Sequence, residues 1–185
     1  MTTARGRPAV FLDRDGVLTE AFVRGGVPTP PRTLAEFRVL PGVAEACAGL
    51  RRAGFVLVVV TNQPDIARSR RTRAEVDTMN DRLRSLVPLD EVCVCPHDDA
   101  DGCACRKPQP GMLLDAAGRL GLDLARSVSV GDRWRDIEAA LRAGVTAIHV
   151  DRHYDEPRPV GAHVVVADLP EAAAWIQEQK WAPEG

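Results

Sequence analysis

The chain has 185 residues, 45% of them hydrophobic and 4% aromatic, with a formal net charge of −2. That length suits one domain, 1–185, able to bury a substantial core, and the charge offers no general attraction for nucleic acid or an anionic membrane. The start, Met1–Pro8, is polar and basic, the apolar run after it is far too short for a signal peptide, and no stretch reaches the length of a membrane span. A cytoplasmic protein, monomeric and without nucleic-acid or membrane partners, is the expectation.

The first element is a short apolar strand, Ala9–Leu12, running straight into Asp13-Arg14-Asp15-Gly16. A strand ending there presents Asp13 and Asp15 together at the carboxyl edge of a sheet, where open α/β sheets bind ligands. Two like charges so close need a cation or a proton between them. A hard divalent ion such as Mg2+, which prefers oxygen ligands, resolves the conflict. The segment Glu20–Leu34, with Gly25-Gly26 and three prolines, reads as a loop or flap beside the acid pair. Gly42–Ala53 is a small-residue helix and Phe55–Val60 a second strand, ending in Thr61-Asn62-Gln63. Thr72-Arg73-Ala74-Glu75 is a capping box that opens a helix to about Leu86. Glu91–Val94 is a short strand, Pro110–Leu120 a helix ended by Gly121, and Ser127–Val130 a strand leading into Gly131-Asp132-Arg133-Trp134-Arg135-Asp136. A helix from about Arg135 to Ala143, strands at Thr146–Val150 and His163–Val166, and a final helix capped by Asp168 and carrying Ala172–Gln179 complete the order. Strands alternating with helices imply an α/β, three-layer, Rossmann-like fold with a mainly parallel sheet. No segment is long enough for a large cap domain.

Between Cys93 and Cys105 lie four of the five cysteines and His97. In a cytoplasmic chain such clustering reads as a metal site rather than as disulfides. Cys-x-His followed by Cys-x-Cys offers a closed sulfur and nitrogen set suited to tetrahedral Zn2+, and a set with Cys93 in place of His97 is an alternative. The basic residues are almost all arginine, Lys107 and Lys180 being the exceptions. A compact ammonium at Lys107 is therefore conspicuous, because it differs from a guanidinium at a phosphate site.

Taken together, Asp13/Asp15, Thr61, Lys107 and Asp132 form an ordered series of acid pair, hydroxyl, lysine and acid, each group but the lysine following a strand-like segment. From about Phe11 to Asp151 this resembles the haloacid dehalogenase superfamily of phosphotransferases. The resemblance implies that Asp13 attacks phosphorus to form an aspartyl-phosphate. Asp15 would act as acid and base, and Thr61 and Lys107 would stabilise the transferring phosphoryl group. Mg2+ would be held by Asp13, Asp132 and the backbone carbonyl of Asp15, with Asp136 in contact behind it. Asn62 and Arg106 join Lys107 as candidate contacts to a small phosphorylated substrate. The cysteine loop, running into Arg106-Lys107-Pro108, resembles the zinc-containing histidinol-phosphate and heptose-bisphosphate branch, which selects Cys95, His97, Cys103 and Cys105 as a structural zinc site in a small loop. The Gly131–Ala139 stretch, and Thr61-Asn62-Gln63 leading into Ile66-Ala67-Arg68, look more like the heptose 1,7-bisphosphate 7-phosphatases, with histidinol-phosphate phosphatase as the alternative. One departure is Pro64-Asp65, where that group has Ser-Gly; an acid there would repel a phosphate. Arg68, Arg70 and Arg71 offer further cations for a second phosphate. With Arg73 they also keep a nucleic-acid 3′-phosphatase open as a remoter reading, and a non-catalytic zinc module is a further one.

Overall fold

The computed structural model describes residues 6–179. Most of the basic start and Lys180 lie outside the described residues. The strand expected at Ala9–Leu12 is β1, buried at every position. A β-branched run makes β4, Val56–Asn62, and it extends past the expected end so that Thr61 and Asn62 close the strand. The other strands of the main sheet are β5 (Glu91–Cys95), β6 (Val128–Gly131), β7 (Thr146–Val150) and β8 (Val164–Val166). Their order is β5-β4-β1-β6-β7-β8 and every pairing is parallel. Continuous apolar strands of this kind need both faces covered. Helices α1 (Val43–Arg52), α2 (Arg73–Leu86) and α5 (Leu169–Glu178) cover one face, packing Cys47, Leu50, Met79, Leu83 and Ile176 on Val10, Leu12, Leu57 and Val59. Helices α3 (Gly111–Leu120) and α4 (Trp134–Arg142) cover the other, packing Met112, Leu113, Ile137 and Ala140 on Ala9, Phe11, Val58 and Val60. The strict alternation along β1 and β4 between the two cores is the period-2 geometry of a strand.

Local sequence explains where the helices start. The Thr72 hydroxyl accepts from the Glu75 N–H at 3.2 Å while the Glu75 carboxylate accepts from the Thr72 N–H at 2.7 Å, the expected capping box. Asp168 caps α5 by accepting from the Glu171 N–H at 2.9 Å, with Pro170 in the first turn.

The flap carries structure that its composition hid. Phe22–Arg24 (β2) and Val27–Thr29 (β3) form an antiparallel hairpin, and Gly25 and Gly26 at its tip have φ of 62° and 80°. Two successive positive φ values are what a two-residue type I′ turn demands, and paired glycines supply them without strain. From β1 the chain builds outward to β4 and β5, then returns to lay β6, β7 and β8 on the other side. The carboxyl ends of β1, β4 and β6 therefore meet at the reversal of strand order, where α/β sheets place their ligand crevice. Among the described residues no helix is long and apolar enough to cross a membrane.

Candidate active site

Asp13 follows β1 and donates its backbone N–H to the Val130 carbonyl at 3.0 Å, so the turn after β1 is tied to β6. Asp132 and Asp136 arrive from the other side, on the turn after β6 and the first turn of α4. One oxygen from each of Asp13, Asp132 and Asp136 lies within 4.8 Å of the others, and all three residues are buried. Lys107 enters this cluster from the segment before α3. Its Nζ donates to Asp13 Oδ1 at 2.8 Å and to the Val60 carbonyl at 2.7 Å, and lies 2.5 Å from Asp136 Oδ1. Gly131 makes the approach possible: a Cβ there would sit 2.1 Å from the Asp136 Cβ.

Three carboxylates facing one ammonium leave the cluster short of positive charge. Burial pushes Asp13 up to about 6 against the opposing pull of Lys107. Burial, then the charges of Asp13 and Asp136, push Asp132 well above the ordinary carboxylate value. At Lys107 burial works against the charged form, but Asp13 and Asp136 outweigh it and hold the ammonium above the usual lysine value. Asp132 Oδ1 is buried with no hydrogen-bond partner, which is costly for a carboxylate oxygen unless a cation satisfies it. Two uncompensated charges and an orphaned oxygen fit a divalent, oxygen-seeking cation.

Asp15 points elsewhere. Its carboxylate accepts from Arg14 Nε at 3.2 Å and Nη2 at 2.9 Å, from the Thr19 hydroxyl at 3.1 Å and from Gln63 Nε2 at 3.0 Å. Arg14 is fully buried, donates Nη1 to Asn80 Oδ1 of α2 at 2.9 Å, and lies 5.9 Å from the Phe37 ring centre. Gln63 also donates to the Thr61 hydroxyl at 3.0 Å, joining the end of β4 to the acid pair. Asn62 clips the lysine segment by its backbone: Nδ2 donates to the Lys107 carbonyl at 3.0 Å, and Oδ1 accepts the Lys107 N–H at 3.1 Å. Arg14, Gln63, Asn80 and Tyr154, whose hydroxyl donates to Asp132 Oδ2 at 2.8 Å, carry no role in the sequence reading. A glutamine two residues after the motif hydroxyl was visible there; nothing local marked the other three.

The cysteine loop gathers Cys95, His97, Cys103 and Cys105 into a set that could hold a metal. Neighbouring ligand atoms are 3.2 to 3.7 Å apart, near the roughly 3.8 Å edge of a tetrahedron built on a Zn–S bond of about 2.3 Å. Cys93, offered as an alternative to His97, lies outside this cluster, its sulfur 3.4 Å from Arg119 Nη2. Burial raises the Cys95 and Cys105 thiols, whereas at Cys103 hydrogen bonds from Cys105 and the backbone outweigh burial and bring the thiol down to about 7.

The arginines differ most from expectation. Arg106 gives Nε to Asp99 at 2.8 Å and Nη1 to the His97 carbonyl at 3.2 Å, serving the cysteine loop rather than the cleft. Arg68 is bidentate to Asp98, at 2.6 and 2.7 Å, and Arg71 donates to the Pro31 carbonyl at 2.6 Å. Arg70 and Arg68 flank Asp65 at 3.8 and 3.9 Å, so the acid that stood out in the sequence is partly neutralised and does not line the cleft. Arg73 pairs with Asp77 one turn along α2 at 2.8 Å. The cleft beside Asp13, Asp15, Thr61, Asn62 and Lys107 is walled instead by Arg133 and Arg135 of the α4 start and by Pro28, Thr29 and Pro30 of the flap. Arg135 is anchored through Nη1 to Asp99 at 2.9 Å and stacks 4.8 Å from the Trp134 ring centre.

Comparison with known proteins agrees with this geometry. The HAD-hydrolase-like family model matches residues 104–172. A D-glycero-beta-D-manno-heptose-1,7-bisphosphate 7-phosphatase of Escherichia coli K12 is 39% identical over 156 residues, covering 77% of this chain and 78% of that protein. The crystal structure of a D,D-heptose 1,7-bisphosphate phosphatase from Bordetella bronchiseptica, complexed with magnesium and phosphate, superimposes with a TM-score of 0.78 at 34% identity, over 91% of this chain and 97% of that one. The corresponding Burkholderia thailandensis structure gives 0.65 at 26% identity, over 94% and 100%.

Proposed function

This chain belongs to the haloacid dehalogenase-like hydrolases, in the heptose-bisphosphate phosphatase family, and we propose that it is a Mg2+-dependent phosphatase acting on a phosphorylated sugar of the heptose 1,7-bisphosphate type. The observation that carries this reading is the cluster of three buried carboxylates around one lysine, at the carboxyl ends of β1, β4 and β6. Asp13 would attack phosphorus as the sugar oxygen departs, leaving the phosphoryl group on its carboxylate. Asp15, at the cleft wall, would protonate that oxygen and then take a proton from the water that hydrolyses the acyl phosphate. The Thr61 hydroxyl, oriented by Gln63, and the Lys107 ammonium would meet the phosphoryl oxygens. Mg2+ held by Asp13, Asp132 and the Asp15 backbone carbonyl, with Asp136 bordering it, would supply positive charge against the transferring group. Arg133 and Arg135, not Arg106, would face the phosphate that stays on the sugar, forked donors suiting an anion that is held but not cleaved.

We assign zinc to the Cys95, His97, Cys103 and Cys105 set. Four protein ligands leave no open position, so its role is to fix the loop that delivers Lys107. Thiols kept free for a metal suit a reducing compartment, which supports the cytoplasm. The unbroken sheet from β5 to β8 supports one domain over 1–185.

Phosphate release from heptose 1,7-bisphosphate, histidinol phosphate and a 3′-phosphorylated oligonucleotide, each with Mg2+, tests the assignment. The bisphosphate is expected to give the highest kcat/KM. Asp13→Asn is expected to lower its turnover by roughly 10⁴-fold or more, with an unchanged circular dichroism spectrum. A preference for histidinol phosphate overturns the substrate, and a folded Asp13→Asn enzyme within a few-fold of the parent overturns the covalent mechanism.

A further inference from the structure

The loop between β7 and β8 takes no part in the chemistry above, yet it returns three side chains to the turns around the acidic cluster, one of them to Asp132 itself. Arg152 Nε donates to the Gly16 carbonyl at 2.8 Å. Glu156 accepts from Arg133 Nε at 2.9 Å and again from its Nη2. Between them, the Tyr154 hydroxyl donates to Asp132 Oδ2 at 2.8 Å. The fit around that bond is close. Gly16 has φ of 97°, and a Cβ on it would stand 1.8 Å from Asp132 Oδ2 and 3.0 Å from the tyrosine oxygen. One Asp132 oxygen is thus engaged by a neutral donor from outside the cluster, while the other, Oδ1, is buried and has no partner.

A carboxylate fixed at one oxygen and open at the other is pre-set to ligate a cation, and such outer hydrogen bonds orient metal ligands generally. We propose that Tyr154 is a positioning residue: its hydroxyl sets the Asp132 carboxylate so that Oδ1 faces a divalent cation shared with Asp13. The proposal rests on the reading of that cluster as the Mg2+ site. Removing the hydroxyl leaves Asp132 free to rotate, so cation affinity falls before substrate affinity does.

Tyr154 is the single tyrosine of the chain, so one ring-labelled NMR resonance reports on it. In the wild-type protein Mg2+ is expected to shift the Tyr154 Cζ resonance saturably, and in Asp132→Asn it is not. Tyr154→Phe is expected to raise the Kd for Mn2+, read directly by electron paramagnetic resonance, by roughly 10–100-fold. At saturating Mg2+ its KM for the sugar phosphate should match the parent. A resonance that does not move at Mg2+ concentrations occupying the site, or a Mn2+ Kd in Tyr154→Phe within twofold of wild type, overturns the proposal. Wild-type protein that binds no Mn2+, or Asp132→Asn that binds it as the parent does, overturns the metal-site reading itself and the proposal with it.

Discussion

Lys107 sits between Asp13 and Asp136, at 2.8 and 2.5 Å, with 3% of its surface exposed. Removing one member of a buried charge set is far more damaging than replacing the whole set by apolar groups, because the partners stay behind uncompensated. Lys107→Met is therefore expected to destabilise the protein, compared without Mg2+, by about 3–5 kcal/mol in urea unfolding, besides abolishing turnover. A loss under 1 kcal/mol would mean that the acids are neutralised by protons rather than by the lysine. That Asp13, Lys107 and Asp132 would come together was legible in the sequence because each lies in a short segment whose residue types and order resemble a known series, and the structure brings them within one cluster. Gln63, Arg14 and Tyr154 were not, because their roles consist of contacts. Arg14 is defined by Asn80, 66 residues away, and Tyr154 by Asp132, 22 residues away. No window of sequence contains both partners and the geometry between them.

At the scale of elements, the start of α4 and the cysteine loop meet at one carboxylate. Asp99 Oδ1 accepts from Arg106 Nε and from Arg135 Nη1. Arg106 is drawn toward the loop that carries it, while Arg135 is braced at the cleft wall. Sequence proximity to Lys107 suggested Arg106 for the second phosphate, but adjacent residues on an irregular segment need not face the same way. Arg135→Ala is accordingly expected to lower kcat/KM for a sugar bisphosphate about tenfold or more, the scale of a charge-assisted hydrogen bond, and to leave a small monophosphate within about twofold. Equal losses on both would remove Arg135 from substrate recognition. The hairpin β2–β3 was hidden for a related reason. Three-residue strands carry too little periodicity to register, Pro28 argues against a strand, and only the paired glycines pointed to the turn that closes it.

Across the whole molecule, the alternation of strands and helices was legible from β1 to α5, because buried parallel strands and amphipathic helices have different periods. The order of the strands was not, since nothing local tells β6 to pair with β1 rather than with β5. That order is what brings two candidate metal-binding clusters of different character to bear on one lysine. The carboxylate cluster is hard and opens on the cleft. The sulfur-rich set runs from the last residue of β5 into the connection to α3, with Cys95 buried in the same core as Met112 and Leu113. The cation should exchange freely; the zinc should be tight and near one per chain, and its binding free energy should appear as folding free energy. Withdrawing Mg2+ is expected to stop turnover while lowering the melting temperature by a few degrees at most, since millimolar binding contributes only about 1 kcal/mol and a protein of this size moves roughly 2–4 °C per kcal/mol. Stripping zinc with a strong chelator, or Cys103→Ser, is expected to lower both melting temperature and activity, because the loop that aims Lys107 loses its tether. Purified protein with no zinc by elemental analysis, and a melting temperature unmoved by the chelator, would leave Cys95, Cys103 and Cys105 as reduced thiols beside His97 and hand the positioning of Lys107 to the Asn62 clip alone.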